Sequence, residues 1–227
     1  MTEVCEVARE EQTWNEQRLA QRLLEPAWRL WQYRQPSIVL GCSQHALLTD
    51  ARRSASVPVL VRSSGGGAVL TGPWMLGLSA LLPPQHGLLA DSLTASYRWL
   101  GELLAGALQL HGIAALAVAP ARARAPDDLS WACFAAVASW EVAVGQRKIA
   151  GLAQRRRRNG VLLSAGLLLD APDWPLLCVA LGRPADEAEQ LARRTTSVCA
   201  QTGESAAGAR IVSTLANALD RALMAAR

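Results

Sequence analysis

Three consecutive glycines, Gly65-Gly66-Gly67, stand between two apolar runs, Val59-Leu60-Val61 and Ala68-Val69-Leu70. The runs read as buried strands and the triplet as a sharp bend joining them. Residues without a Cβ let a ligand lie directly against the backbone, with N–H groups turned towards it. Arg62 adds a cationic fork at the mouth of this loop, and Ser63 and Ser64 add hydroxyls. That combination suits a negatively charged or carboxyl-bearing ligand. A plain hairpin turn needs only two glycines. No Gly-Lys-Ser or Gly-Lys-Thr follows and no strand-loop-helix transition is present, so the triplet is not a nucleotide P-loop; a GxGxxG fingerprint is also missing.

A second segment, Gly145-Gln146-Arg147-Lys148-Ile149-Ala150-Gly151-Leu152-Ala153-Gln154, puts a lysine between a glycine turn and a strand of small residues. A lysine among apolar neighbours can donate to a carboxylate or phosphate and steady developing negative charge, although a lysine beside a turn is ordinarily solvated. Gln154 reads equally as a sheet-edge amide or a ligand contact. Cys133, in Trp131-Ala132-Cys133-Phe134, is either a small buried hydrophobe or a thiolate nucleophile near Lys148 that forms a thioester. Arg155 to Arg158 is a charged strand end or a patch that attracts an acidic partner. Without interleaved aromatics it does not point to nucleic acid.

The remaining polar residues bound the chemistry. The 5 cysteines are scattered, with no CxxC and no histidine at metal spacing, which argues against a disulfide framework and a metal site. His45, His86 and His111 are isolated, the carboxylates form no evident acid–base pair, and no Ser-His-Asp arrangement is legible. No stretch of about 18 uncharged apolar residues is present, so no membrane span is expected. The acidic start, Met1 to Gln12, lacks the pattern of a signal peptide and the cytoplasm is the expected location.

Periodicity predicts a helix over Thr13 to Leu24, strands over Ala27–Tyr33 and Ser37–Leu40, and a short helix over Ala46–Ser54. Strands flank the triplet, and Met75–Leu82 is another. Asp91 or Ser92 caps a long helix through Leu110, and Gly112 ends it. Ala119 to Asp128 reads as a mobile loop. Trp131–Ala138, Trp140–Val144, Lys148–Gln154 and Gly160–Leu169 read as strands, and helices follow from Pro172 and from Gly203. This order favours an α/β or α+β layered domain with a substantially antiparallel sheet.

The two blocks together, Val61 to Val69 and Gly145 to Gln154, resemble the signature blocks of the lipoate-protein ligase family, which includes biotin ligases and octanoyl transferases. Supporting pieces stand in the family's order: Pro36-Ser37-Ile38-Val39-Leu40-Gly41 before Gln44, Cys133-Phe134 before Glu141-Val142, and Gly160-Val161-Leu162-Leu163 before Gly166-Leu167-Leu168-Leu169. The likeness covers Leu30 to Asp170. It implies one class II biotin synthetase-like catalytic domain over residues 1–227: a mixed, largely antiparallel curved sheet flanked by helices, without a separate C-terminal accessory domain.

The resemblance further implies that Arg62, Ser64, Gly65, Gly66, Gly67, Ala68, Gly151, Ala153 and Gly166 bind the lipoyl or octanoyl group and its acyl phosphate. Lys148 would be the central catalytic residue. Lipoate or octanoate would be the substrate, with ATP and Mg²⁺ as cofactors of an acyl-adenylate route. The acceptor would be a lysine on an acidic lipoyl carrier domain of the 2-oxoacid dehydrogenase or glycine cleavage type. An alternative route uses no ATP: Cys133 takes the acyl group from an acyl carrier protein as a thioester and passes it on. A third alternative is a non-catalytic binder of a lipoyl-like ligand or a partner. The family pattern follows its glycines with His-Asp and then Asn, where this chain has Thr71-Gly72-Pro73-Trp74-Met75.

Overall fold

Strands with near-continuous apolar sequence take the middle of a large sheet, because both their faces are covered. The computed structural model describes residues 1–90, 92–120 and 129–225. Among these residues the strands are β1 (Thr2–Cys5), β2 (Ala27–Tyr33), β3 (Ser37–Leu40), β4 (Val59–Val61), β5 (Val69–Thr71), β6 (Met75–Leu82), β7 (Ala115–Ala117), β8 (Val142–Val144), β9 (Arg147–Arg157) and β10 (Gly160–Leu168). The helices are α1 (Arg9–Ala20), α2 (Leu48–Ser54), α3 (Arg98–Gln109), α4 (Trp174–Ala180), α5 (Ala185–Arg194), α6 (Val198–Thr202) and α7 (Ala207–Ala225). Seven strands form one sheet in the order β1-β2-β6-β10-β9-β8-β7, and three form a second in the order β4-β3-β5. Only β1/β2 and β3/β4 pair parallel, so the mixed, largely antiparallel sheet expected from sequence is present.

Side-chain alternation divides the core between two faces of the large sheet. Leu30, Leu76, Leu78, Leu163 and Leu167 point to one face and meet Leu100 and Leu104 of α3 and Ile211 and Leu215 of α7. Trp31, Tyr33, Met75 and Leu168 point to the other, against Ile38, Leu40 and Leu70 of the small sheet and Leu177 and Leu191 of α4 and α5. Every residue of β6 is buried, as its central place requires.

Several boundaries differ from the sequence reading. Helix α1 begins four residues earlier than expected and buries Glu11, Asn15 and Leu19, while Leu24 lies exposed. Its buried face therefore contains two polar residues, which hydrophobic periodicity does not register. Trp131–Ala138 is not a strand: Cys133–Ala135 is a 3-10 turn. The short edge strands β1 and β7 carry too little apolar pattern to be read from sequence. Ser92 caps as expected, its Oγ accepting from the Ala95 N–H at 3.0 Å, although the α-helix proper starts only at Arg98. Asp91 and most of the expected mobile loop, residues 121–128, lie outside the described residues. No described helix is long and apolar enough to cross a membrane.

The glycine triplet joins strands that are not neighbours. β4 and β5 lie on opposite sides of β3, so the loop must cross over the end of β3. Close approach explains two of its three glycines. Gly66 has φ 99° and its carbonyl oxygen fills the place a Cβ on Gly41 would take. A Cβ on Gly67 would meet Trp131 O at 2.6 Å and the Cys133 nitrogen at 2.7 Å, whereas one on Gly65 would meet nothing within 4 Å. Gly67→Ala is accordingly expected to lower unfolding free energy by about 1–3 kcal/mol through forced backbone displacement. Gly65→Ala should stay within about 0.5 kcal/mol of the parent protein. Urea denaturation of the two variants decides this, and equal losses would contradict the assignment.

Candidate active site

Where the small sheet meets the large one, the backbone around Cys133 is held from several sides. Ala68 forms an isolated parallel bridge with Ala132: its N–H donates to Trp131 O at 2.7 Å, and the Cys133 N–H donates to Ala68 O at 2.9 Å. Gln44 Nε2 donates to the same Trp131 carbonyl at 2.9 Å. The Trp131 indole donates to Glu187 Oε2 at 2.7 Å and the Arg183 guanidinium lies 5.2 Å over its ring. The turn carrying Cys133 is thus pinned between the end of the glycine loop and α5. The thiol itself is half-buried and lines a cleft.

Lys148 approaches the same turn from β9. The expectation that a lysine beside a turn is solvated fails here, since its side chain is 1% exposed. Its Nζ donates to Cys133 O at 2.6 Å and Ala136 O at 3.0 Å and lies 2.6 Å from Glu141 Oε2. Three acceptors match the three N–H bonds of an ammonium group. The Phe134 ring, 5.1 Å from Nζ, adds a favourable face for the charge.

Glu141 holds the lysine in turn. Its carboxylate accepts from Leu152 N–H at 3.0 Å and Ala138 N–H at 2.7 Å, so both oxygens are engaged. Just before it, Trp140 has φ 68°, and Gly101 leaves the space that the Trp140 carbonyl occupies. This unusual backbone turns Glu141 inward. On β9, Gly151 leaves room for the pair: a Cβ there would lie 3.1 Å from Lys148 Cε and 3.5 Å from Glu141 Oε1.

The cleft runs over a face of the large sheet on which three glycines meet. Gly77 of β6, Gly166 of β10 and Gly151 of β9 are direct cross-strand partners and so share that face. Ala153, Ser164 and Gly166 contribute to the floor, Val39, Val69 and Phe134 to the apolar walls, and Glu11, Tyr33 and Arg62 to the polar ones. Arg62 is 8% exposed, and its Nε and Nη2 donate to Gly65 O at 3.2 and 2.9 Å, with Nη2 also reaching Gly67 O at 2.9 Å.

The residues singled out from sequence fall into two groups, those that line the cleft and those that stand behind or beside it. Cys133, Arg62, Gly151, Ala153 and Gly166 line the cleft, and Lys148 contacts the Cys133 turn behind it. Ser64, Gly65, Gly66, Gly67 and Ala68 stand outside the cleft lining; Ala68 and Gly67 touch the Cys133 turn, and Ser64 O accepts from the Cys42 N–H. Glu11, Tyr33 and Gly77 carry no signal in the sequence reading, and Glu141 enters it only as part of the Glu141-Val142 piece, without a role. Glu11 and Tyr33 are 22 residues apart, and Glu141 and Lys148 sit on opposite sides of the Gly145 turn, so neither pair follows a spacing that sequence periodicity registers.

Burial pushes the Glu11 carboxyl up, opposed by hydrogen bonds from Tyr33 and Ser79. Burial also holds the Tyr33 phenol well above its ordinary range, with Glu11 adding to the shift. The Arg155–Arg158 run is only partly available to a partner. Arg156 reaches Ala90 O and Ser96 Oγ, and Arg157 pairs with Glu16 at 2.8 Å.

Among the described residues no group of three or more His, Cys, Asp and Glu side chains is placed to hold a metal ion. Glu141 is committed to Lys148, and Glu11 to Tyr33 and Ser79.

Residues 7–218 match the lipoyl protein ligase A/B catalytic domain family. Among curated relatives, octanoyltransferase LipM of Clostridioides difficile is 31% identical over 71% of this chain and 59% of its own length. The LipM of Symbiobacterium thermophilum is 33% identical over 67% of this chain and 56% of its own. The chain thus spans a little under two thirds of these relatives. The bipartite lipoate protein ligase of Thermoplasma acidophilum shares the fold, with a TM-score of 0.72 at 19% identity, covering 98% of this chain and 82% of that one. Fold, cleft and a sequence match over nearly the whole chain agree that this protein belongs to the lipoyl protein ligase A/B catalytic domain family.

Proposed function

We propose that this protein transfers an octanoyl group to a lysine of a lipoyl carrier domain through a thioester on Cys133, without ATP. One observation carries the reading: the half-buried thiol lines the cleft while its own carbonyl is gripped by Lys148 Nζ at 2.6 Å. The cation is thereby fixed to the backbone of the nucleophile's own residue, behind the cleft that this residue lines. The curated names of the LipM relatives support the choice of octanoyl.

The chemistry balances without an external activator when the donor is already a thioester. Cys133 gives up its thiol proton and its sulfur attacks the donor carbonyl: a new C–S bond forms, the donor's C–S bond breaks, and the departing carrier thiolate takes up that proton. The acceptor amine then attacks the Cys133 thioester, forming an amide and losing a proton as the Cys133 thiolate departs. Both tetrahedral intermediates place negative charge on the acyl oxygen. Lys148 meets that charge by exchanging one backbone carbonyl acceptor, Cys133 O or Ala136 O, for the acyl oxygen while keeping Glu141. The exchange costs one backbone hydrogen bond, and what it gains is a full cation against the oxyanion.

The acyl-adenylate route ranks second. Thr71 and Trp74, in the stretch where the family's ligases place His-Asp and Asn, have their polar atoms engaged internally. Thr71 Oγ1 donates to Ser37 O at 3.0 Å and Trp74 Nε1 to Leu70 O at 3.2 Å. An acidic lipoyl carrier domain remains the acceptor this reading favours, with Arg158, the exposed end of the arginine run, as one point of attraction.

Two outcomes test the proposal. With an octanoyl acyl carrier protein and no ATP, the protein should acquire an octanoyl adduct, seen by intact-mass spectrometry and located on Cys133. Cys133→Ser should abolish both adduct and transfer. Modification that appears only with free acid and ATP, and persists in Cys133→Ser, would establish the adenylate route instead.

Lys148→Met should lower the transfer rate constant by about 10²–10³-fold, as removal of an aimed donor does elsewhere. That substitution alone leaves Glu141 buried without its cation, at a cost of about 3–5 kcal/mol in stability. The Lys148→Met/Glu141→Gln double variant should regain most of that stability and none of the activity. A double variant that is both stable and active would remove Lys148 from the mechanism.

A further inference from the structure

The cleft has a closed end as well as a reactive one. Cys133 lines it with the Lys148–Glu141 pair behind, next to Gly151 of β9, while Tyr33 of β2 and Glu11 line it as well. Between them the floor crosses β9, β10 and β6 at Gly151, Gly166 and Gly77, two inter-strand spacings or about 10 Å. At the third of these positions the Tyr33 hydroxyl fills the space where a Gly77 side chain would stand.

Tyr33 is not free to swing aside. Its hydroxyl donates to Glu11 Oε2 at 2.7 Å, and Glu11 Oε1 accepts from Ser79 Oγ at 3.3 Å. Ser79 Oγ in turn accepts from Trp31 Nε1 at 3.1 Å. The network ties α1, β2 and β6 together and leaves the phenol fixed. Over Gly166, by contrast, stands Met75, whose sulfur lies 3.0 Å from the Cβ position of that glycine. A thioether on an unbranched chain yields easily to a ligand. The middle of the floor can therefore open, and its far end cannot.

We infer that Tyr33, pinned by Glu11, is the stop that sets acyl chain length in this cleft. An extended saturated chain that crosses the floor from Gly151 to Gly77 meets the phenol after about 10 Å, so chains of about eight carbons fit and much longer ones do not. A longer chain must displace a buried, hydrogen-bonded ring. The inference rests on the reading of the cleft as an acyl site and assigns Tyr33 and Glu11 a specificity role within it.

The test uses two readouts on the whole chain: calorimetric binding of straight-chain carboxylic acids from hexanoate to dodecanoate, and acylation of Cys133 from acyl carrier protein donors of the same lengths. The parent protein should prefer eight carbons over twelve by at least about tenfold, the order of discrimination that a closed apolar pocket achieves. Tyr33→Ala should abolish that preference, with twelve carbons bound at least as well as eight. Because this change strips Glu11 of its donor, Gly166→Ala serves as an independent variant. The atoms nearest its methyl belong to flexible Met75, and it should move the optimum to six carbons or fewer. An unchanged length profile in folded Tyr33→Ala, or in Gly166→Ala, would overturn the role of Tyr33 while leaving the acyl site intact. Failure of the parent protein to bind or accept any chain would overturn the acyl site itself, and this inference with it.

Discussion

A buried lysine–glutamate pair organises this molecule's chemistry. Lys148 and Glu141 lie 2.6 Å apart with side chains 1% and 5% exposed, where an unpaired charge is untenable. Such pairs contribute little net stability, because desolvation offsets most of the attraction. What the pair does here is geometric. The carboxylate holds the backbone N–H groups of Ala138 and Leu152, and the ammonium holds the carbonyls of Cys133 and Ala136. The irregular segment from Cys133 to Glu141 is thereby fastened to β9. Without the pair, a turn that lacks regular backbone pairing has no reason to hold its thiol over the cleft.

The glycines complete this arrangement in two different ways. Gly67 and Gly41 are bare so that one backbone can cross another, bringing the β4–β5 loop against the Cys133 turn. Gly151, Gly166 and Gly77 share one face of the large sheet, and each gives its place to a side chain from elsewhere: Lys148 and Glu141 over Gly151, Met75 over Gly166 and the Tyr33 hydroxyl over Gly77. The first set builds the wall that carries the nucleophile and the second lets these side chains settle against the sheet. Arg62 serves both cleft and loop, since it lines the cleft while its donors brace the carbonyls of Gly65 and Gly67.

Much of this was legible in the sequence, for identifiable reasons. β2, β3 and β6 fell on their expected residues because Pro and Gly bound short apolar runs there. The glycine triplet and the Lys148 segment pointed to one neighbourhood because each combines bare backbone with a cation. What could not be read depended on pairing that only the folded backbone creates. Glu141 meets Lys148 only after a bulged strand brings them together, and Glu11 meets Tyr33 only once α1 packs on the sheet. The polar buried face of α1 defeated periodicity. The turn at Cys133 was mistaken for a strand because its apolar composition reflects packing against α5 rather than extension.

The account comes down to where an acyl oxygen sits when a chain is attached to Cys133. A crystal structure of the octanoyl thioester on Cys133 measures that directly. The expected result is a thioester oxygen within hydrogen-bonding distance of Lys148 Nζ, the Glu141 contact retained, and the alkyl chain lying over Gly166 towards Tyr33. A thioester oxygen turned away from Lys148, or a chain lodged outside this cleft, would contradict it.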